Sequence, residues 1–186
     1  MSKYKDLDNF STWSSEEKDH FTVSMIKGLI MDTVRKANSG HTGGPMSSAD
    51  FATILFKDYL QFNPKDPNWF NRDRFILSAG HESALQYVLL NLIGWLGLDD
   101  LKQFRQLHSK TPGHPEVEIP GVECTTGPLG QGFGMGTGMA FAETFLRHAL
   151  EEKSKNAEGL VNHYTYVLAS DGDMQEPITL GASSLA

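Results

Sequence analysis

Between Glu16 and Ala37 the apolar residues fall at Phe21, Met25, Ile26, Leu29, Ile30 and Val34. This is the spacing of one face of a helix, and Asn38-Ser39-Gly40 stops it. A second helix is predicted from Ser47 to Leu60, with Asp50 as a capping-box partner. "NPKDPNW" carries two prolines and reads as loop. "RFILSAG" (74–80) is a short β-prone run ended by glycine, a buried strand. "ESALQYVLLNLIGW" (82–95) has helical spacing and length, and "DDLKQFRQL" a short helix. Residues 109–132 are rich in Gly, Pro and Thr and read as ordered loop, followed by a helix over 132–153. "YTYVLAS" (164–170) is a β-branched and aromatic strand. "PITLGASSLA" reads as the first turns of a further helix, with Pro177 near its start. Residues 1–14 are polar and read as a loose lead-in.

Strands alternating with long helices imply an α/β fold, a parallel sheet covered by helices on both faces. In such sheets ligands sit beyond the carboxyl ends of the strands. Here those ends are Ser78-Ala79-Gly80-His81 and Ser170-Asp171-Gly172. Both are polar where a site is expected.

Composition narrows the function classes. The 186 residues suit one domain, and 39% hydrophobic content supplies a core. A formal net charge of -7 argues against a nucleic-acid or acidic-membrane binder. It leaves phosphate ligands open, since histidines and backbone N–H groups bind anions locally. One cysteine, Cys124, excludes an intramolecular disulfide and a cysteine-built zinc site. No secretory h-region is visible, and no apolar run approaches the ~18 residues of a membrane span. A cytoplasmic location is expected.

The candidate chemistry starts at Asp171. A carboxylate directly after a buried strand suits a hard divalent cation, and equally suits a helix N-terminus. Gly172 after it lets a ligand approach the backbone. His41, His81 and His114 each follow a glycine on a turn or element end, free to donate to a phosphate oxygen or a hydroxyl; each alone also suits a turn residue. The run "GPLGQGFGMGTG" (127–138) costs helix stability at ~1 kcal/mol per glycine relative to Ala. Backbone approach to a cofactor, or close helix packing across a subunit interface, would each offset that.

Taken together these motifs resemble the N-terminal half of the transketolases, thiamine-diphosphate enzymes. "SGHTGGP", "FRQLHSKTPGHPE", "TTGPLGQG" and "HYTYVLASDGDMQEP" carry the resemblance, which runs from about residue 16 to 186. It implies a thiamine-diphosphate-binding fold, incomplete here, and transfer of a two-carbon ketol unit from a ketose phosphate to an aldose phosphate in the pentose phosphate pathway. Asp171 would bind Mg²⁺ or Ca²⁺, and His81 with the Gly172 N–H would contact the diphosphate. Gly127, Pro128 and Leu129 would line the thiamine-binding loop. His41 and His114 would serve substrate hydroxyls and proton transfer near the reactive carbon. Glu176 would lie at a dimer interface. The family's G-D-G is Ser170-Asp171-Gly172 here, and its Gly after the Glu is Pro177.

The resemblance also implies that a second metal ligand and a pyrimidine-binding domain lie beyond Ala186. They would come from missing C-terminal domains or a partner chain, and the chain alone is expected to be inactive. A homodimer is implied when complete. The competing readings are a related thiamine-diphosphate enzyme, of the deoxyxylulose-phosphate synthase or dihydroxyacetone synthase type, and a non-catalytic dimerising remnant.

Overall fold

A computed structural model describes residues 7–186. The expectation for residues 1–6 lies outside them. Leu7–Thr12 are not loose: they wind into 3-10 turns. Phe10 and Trp13 pack with Phe21, at ring-centroid distances of 5.2–5.8 Å.

Helix α1 spans Ser15–Ala37 and opens on a capping box. Glu17 N–H donates to Ser14 Oγ (3.2 Å), and Ser14 N–H donates to Glu17 Oε2 (2.9 Å). Asn38 ends it in the left-handed region at φ 50°. Helix α2, Gly43–Ile54, starts four residues before the predicted Ser47. Pro45 suits a first turn, where its missing N–H has no intrahelical role. Ser47 is therefore inside the helix, and Asp50 is not a capping partner but pairs with Lys27 at 2.5 Å. Leu55–Tyr59 continue as one π-turn.

Strands β1 (Arg74–Leu77) and β2 (Thr165–Leu168) pair in parallel, with Ile76 opposite Val167. Each is shorter than predicted. Ser78 N–H still donates to Leu168 O (2.9 Å), but the chain then turns into the 3-10 segment Gly80–Glu82. Helix α3 (Ser83–Leu92) follows, then α4 (Leu98–Lys102), α5 (Gln131–Lys153), α6 (Asp171–Gln175) and α7 (Pro177–Leu185).

The pleat separates two layers. Phe75 and Leu77 join a core with Ile26 and Ile30 of α1, Ala49 and Ala52 of α2, and Leu85, Val88 and Leu89 of α3. Ile76 and Val167 face the opposite way, toward α5. A Cβ on Gly136 would fall 2.5 Å from Val167 Cγ2 and 3.2 Å from Ile76 Cδ1; one on Gly132 would fall 2.5 Å from Ser78 Cα. Gly132 and Gly136, one turn apart, thus seat the α5 backbone on the chain's own sheet. Intrachain packing, not a subunit interface, explains these two glycines. Gly138 has open space around it. The expected α/β architecture, helices on both faces of a parallel sheet, is what the chain forms.

One buried carboxylate ties the strand ends together. Asp173, 0% exposed, accepts from Ser78 Oγ (2.6 Å) after β1 and from Gly130 N–H (2.7 Å) before α5. Its other oxygen accepts from Ser170 N–H (2.9 Å) and Ser170 Oγ (2.8 Å) after β2. Ser78 Oγ in turn accepts from Phe133 N–H (3.0 Å). Burial pushes the Asp173 carboxyl up, but the hydrogen bonds from Ser78, Gly130 and Ser170 together outweigh it and hold the group below its ordinary 3.8.

Two expectations follow from this packing. Gly132→Ala forces a backbone shift and is expected to destabilise the chain by about 2 kcal/mol, whereas Gly138→Ala gains about 1 kcal/mol from helix propensity; urea unfolding of both variants checks the opposite signs. Asp173→Asn places an amide donor against the Ser170 donors and is expected to cost about 2 kcal/mol at pH 7. Because the folded carboxyl lies below 3.8, its stabilisation is complete above that value and is lost as pH falls through the lowered one. The difference between parent and Asp173→Asn, followed by thermal melts, is therefore expected to shrink in acid.

Candidate functional site

Three loops meet at the carboxyl ends of β1 and β2. The first carries His41 between α1 and α2. The second is the 3-10 turn with His81, directly after β1. The third runs through His114 to Gly127. The His41 and His81 rings meet edge to face, centroids 5.1 Å apart. The third loop crosses over the end of β1: a Cβ on Gly80 would lie 2.6 Å from Gly127 N, and Thr126 Oγ1 donates to Leu77 O at 2.7 Å. Gly127 itself, at φ 152°, lies against the His114 ring, with its would-be Cβ 3.3 Å from Cδ2.

Helix α3 holds the His114 loop. Ser83 Oγ donates to Gly113 O (2.8 Å), and Tyr87 OH lies 2.9 Å from Pro112 O and 3.2 Å from His114 O. Arg105 joins this loop to the first one. Its N–H donates to Thr111 O (2.8 Å), and its Nη1 donates to Ser39 Oγ (2.9 Å). It sits at φ 61°, unusual for a side-chain-bearing residue. Sequence reading gave Arg105 no role, because both its partners and its backbone angle are products of the fold.

Electrostatics follow from the crowding. Partial burial lowers the His41 pKa first, and nearby His81 and Arg105 lower it further. Partial burial likewise leads for His114, followed by Arg105, His41 and His81. Both imidazoles are therefore held neutral at neutral pH, each with one donor and one acceptor nitrogen.

A second group gathers around β2. Ser170 is the N-cap of α6, at φ -85° and ψ 170°, a conformation open to any residue. A serine where the family pattern has glycine is thus accommodated, and its hydroxyl completes a capping box with Asp173. Asp171 begins α6 and is exposed, with no hydrogen bond or ion pair among the described residues. Gly172 meets Leu129: a Cβ there would lie 3.0 Å from Leu129 Cδ1. Pro128, exposed, and half-buried Leu129 link Gly127 to the start of α5. Glu176, half-buried, lies against Gly130, and Pro177 opens α7 at its first turn as predicted.

The nine predicted site residues therefore fall into two neighbouring sets. His41, His81, His114 and Gly127 form one; Pro128, Leu129, Asp171, Gly172 and Glu176 lie along the other. Of the three acids clustered after β2, Asp173 is fully engaged inside, while the carboxylates of Asp171, exposed, and Glu176, half-buried, have no hydrogen bond or ion pair among the described residues. Among the described residues no group of three or more His, Cys, Asp or Glu is arranged to hold a metal ion. Asp171 offers a single exposed carboxylate just beyond the end of β2.

Residues 18–186 match the family model described as "Transketolase, thiamine diphosphate binding domain". The chain is 56% identical over 171 residues to a transketolase of Staphylococcus epidermidis, covering 91% of this chain and 25% of that protein. It is 51% identical over 177 residues to that of Aquifex aeolicus, covering 93% and 25%. Among solved structures, transketolase from Leishmania mexicana superposes with a TM-score of 0.86 at 44% identity, over 90% of this chain and 25% of that one. The Pichia stipitis transketolase, solved in complex with sedoheptulose 7-phosphate, gives 0.86 at 48% identity over the same shares. The chain thus spans about a quarter of the length of the relatives it matches. On the extent of that match, and on a histidine and glycine framework built at the strand ends, the chain belongs to the transketolase family and forms part of its thiamine-diphosphate-binding domain.

Proposed function

We propose that the chain supplies the diphosphate and metal side of a ketol-transferring active site. The observation that carries this reading is the convergence of three loop histidines on the strand ends, beside glycines where the backbone lies bare and an unengaged Asp171. The reaction is transfer of a two-carbon unit from a ketose phosphate to an aldose phosphate, as in the pentose phosphate pathway. The sedoheptulose 7-phosphate in the Pichia stipitis complex supports a sugar phosphate as substrate. Such a transferase would work in the cytoplasm and as a homodimer, with Glu176 near the interface. A pyrimidine-binding domain, in the same polypeptide or a partner chain, would complete it.

Thiamine diphosphate, when bound, supplies the electron sink for carbon–carbon bond cleavage. The protein's own groups bind and orient. His81 and the Gly172 N–H contact the diphosphate. Asp171 gives a hard oxygen ligand to Mg²⁺ or Ca²⁺, which prefers such donors. Gly127, Pro128 and Leu129 would line the thiamine through backbone groups. His41 and His114, held neutral by burial and their cationic neighbours, accept or donate protons at substrate hydroxyls.

Two outcomes test the division of roles in the completed enzyme. Asp171→Asn is expected to leave the fold intact, with a stability change within about 0.5 kcal/mol for an exposed group without partners. Mg²⁺-dependent affinity for thiamine diphosphate is expected to fall at least about tenfold, or about 1.4 kcal/mol; cofactor titrations with and without Mg²⁺ read this directly. Unchanged affinity and metal dependence would reduce Asp171 to a helix-end acid. His114→Ala is expected to lower turnover by about 10²-fold or more with cofactor affinity nearly preserved, while His81→Ala weakens cofactor binding. Equal loss of affinity in both variants would refute the separation.

A further inference from the structure

Glu82 follows His81 on the turn that leaves β1, and only 5% of it is exposed. Its carboxyl lies over Gly44 in the first turn of α2. A Cβ on Gly44 would land on Glu82 Oε1 and within 2.7 Å of its Cδ. Ser48, one turn further along α2, faces the carboxyl and favours its ionised form. Among the described residues Glu82 Oε2 has no partner, and neither does Oε1 of Gln86, which is 1% exposed and four residues on. An ionised carboxylate in this place carries a desolvation cost that nothing cationic offsets by direct contact. A protonated one has a hydrogen to donate, and Gln86 Oε1 is an unfilled acceptor at helical i, i+4 spacing. Burial drives the Glu82 carboxyl above its ordinary 4.5 against the opposing effects of Ser48 and His81, and Asp173 adds to the rise.

We propose that Glu82 is a positioning residue: wedged over Gly44, it sets how deeply the first turn of α2, and the His41 loop before it, docks against His81. The two ends of the wedge are the two rings. His81 is its chain neighbour, and His41 lies two residues before α2, so a shift of that turn moves one ring against the other. Any side chain at position 44 competes with the carboxyl for the same space. The functional roles of His41 and His81 rest on the cofactor reading above; their placement by Glu82 does not, and it is tested without cofactor.

Protonation of Glu82 strengthens the wedge. Its folded value is raised, so the stabilisation is complete below pH 4.5 and is lost as pH rises through the raised value. Of the groups facing it, Ser48 does not titrate, Asp173 is ionised throughout that range, and His81, with His41 beyond it, is common to parent and variants.

The experiment uses the 186-residue chain and four variants: Glu82→Gln, Glu82→Ala, Gly44→Ala and the Gly44→Ala/Glu82→Ala double. Melting midpoints are followed upward from pH 4.5, and the His41 and His81 ring resonances by NMR. Glu82→Gln is expected to keep both resonances in place and to melt without the parent's decline as pH rises. Glu82→Ala is expected to move both resonances. Gly44→Ala is expected to lower the midpoint by about 5 °C in the parent and far less in the Glu82→Ala background, where the obstructing carboxyl is gone. If Gly44→Ala alone does not fold, recovery of a folded double variant reports the same coupling. Equal harm from Gly44→Ala in both backgrounds, unmoved histidine resonances in Glu82→Ala, or parallel pH dependence of parent and Glu82→Gln would overturn the proposal.

Discussion

The carboxylate of Asp173 is the constraint on which the site depends. A buried charge is tolerated only when its hydrogen-bonding capacity is filled. Here the filling groups come from the end of β1, the start of α5 and the end of β2. Those three segments share no local sequence, and the shared anion adds to strand pairing and helix packing in holding their ends in one register. The exposed Asp171 owes its position to the same turn: Ser170 caps α6 through Asp173, which leaves Asp171 at the first helical position, pointed away from the network. One acid is engaged in structure, and its neighbour two residues earlier stays exposed.

The histidine side works by a different balance. His41, His81, His114 and Arg105 gather on a chain whose formal net charge is -7. Acidic groups therefore dominate overall, while one end of the sheet is locally basic. Mutual proximity and partial burial disfavour the charged imidazoles. The Arg105 bridge between Ser39 and the 111–113 loop keeps two of the rings on the same side of the cleft.

Glycine serves three separate purposes in this chain. At Gly132 and Gly136 it brings a helix onto the sheet; at Gly127 it permits a positive φ beside His114; at Gly44 it makes room for a carboxyl. The helix-propensity cost is similar at each, about 1 kcal/mol for those within helices. What offsets it is tertiary in every case.

Periodicity and turn chemistry made much of the architecture legible. The α1 face, the two strands, Pro177 at the start of α7 and the placement of the site at the strand ends all follow from spacing and local preference. The type and order of chemical groups were legible too, since motifs such as "SGHTGGP" and "TPGHPE" put histidines after glycines on turns. The start of α2 was not, because Ser47 and Asp50 satisfy the local capping rule while Gly44 is set by packing against Glu82. Nor were the roles of Asp173, Arg105 and Glu82. Each acts through partners 34 to 95 residues away, as with Glu82 over Ser48 and Asp173 on Ser78. The sequence by itself determined which chemical groups stand after the strands and where along the chain those strands lie, although each stops short of its predicted end. Only the tertiary structure decided which carboxylate is consumed and which is free, because hydrogen-bond satisfaction and burial are properties of segments brought together, not of a residue and its neighbours.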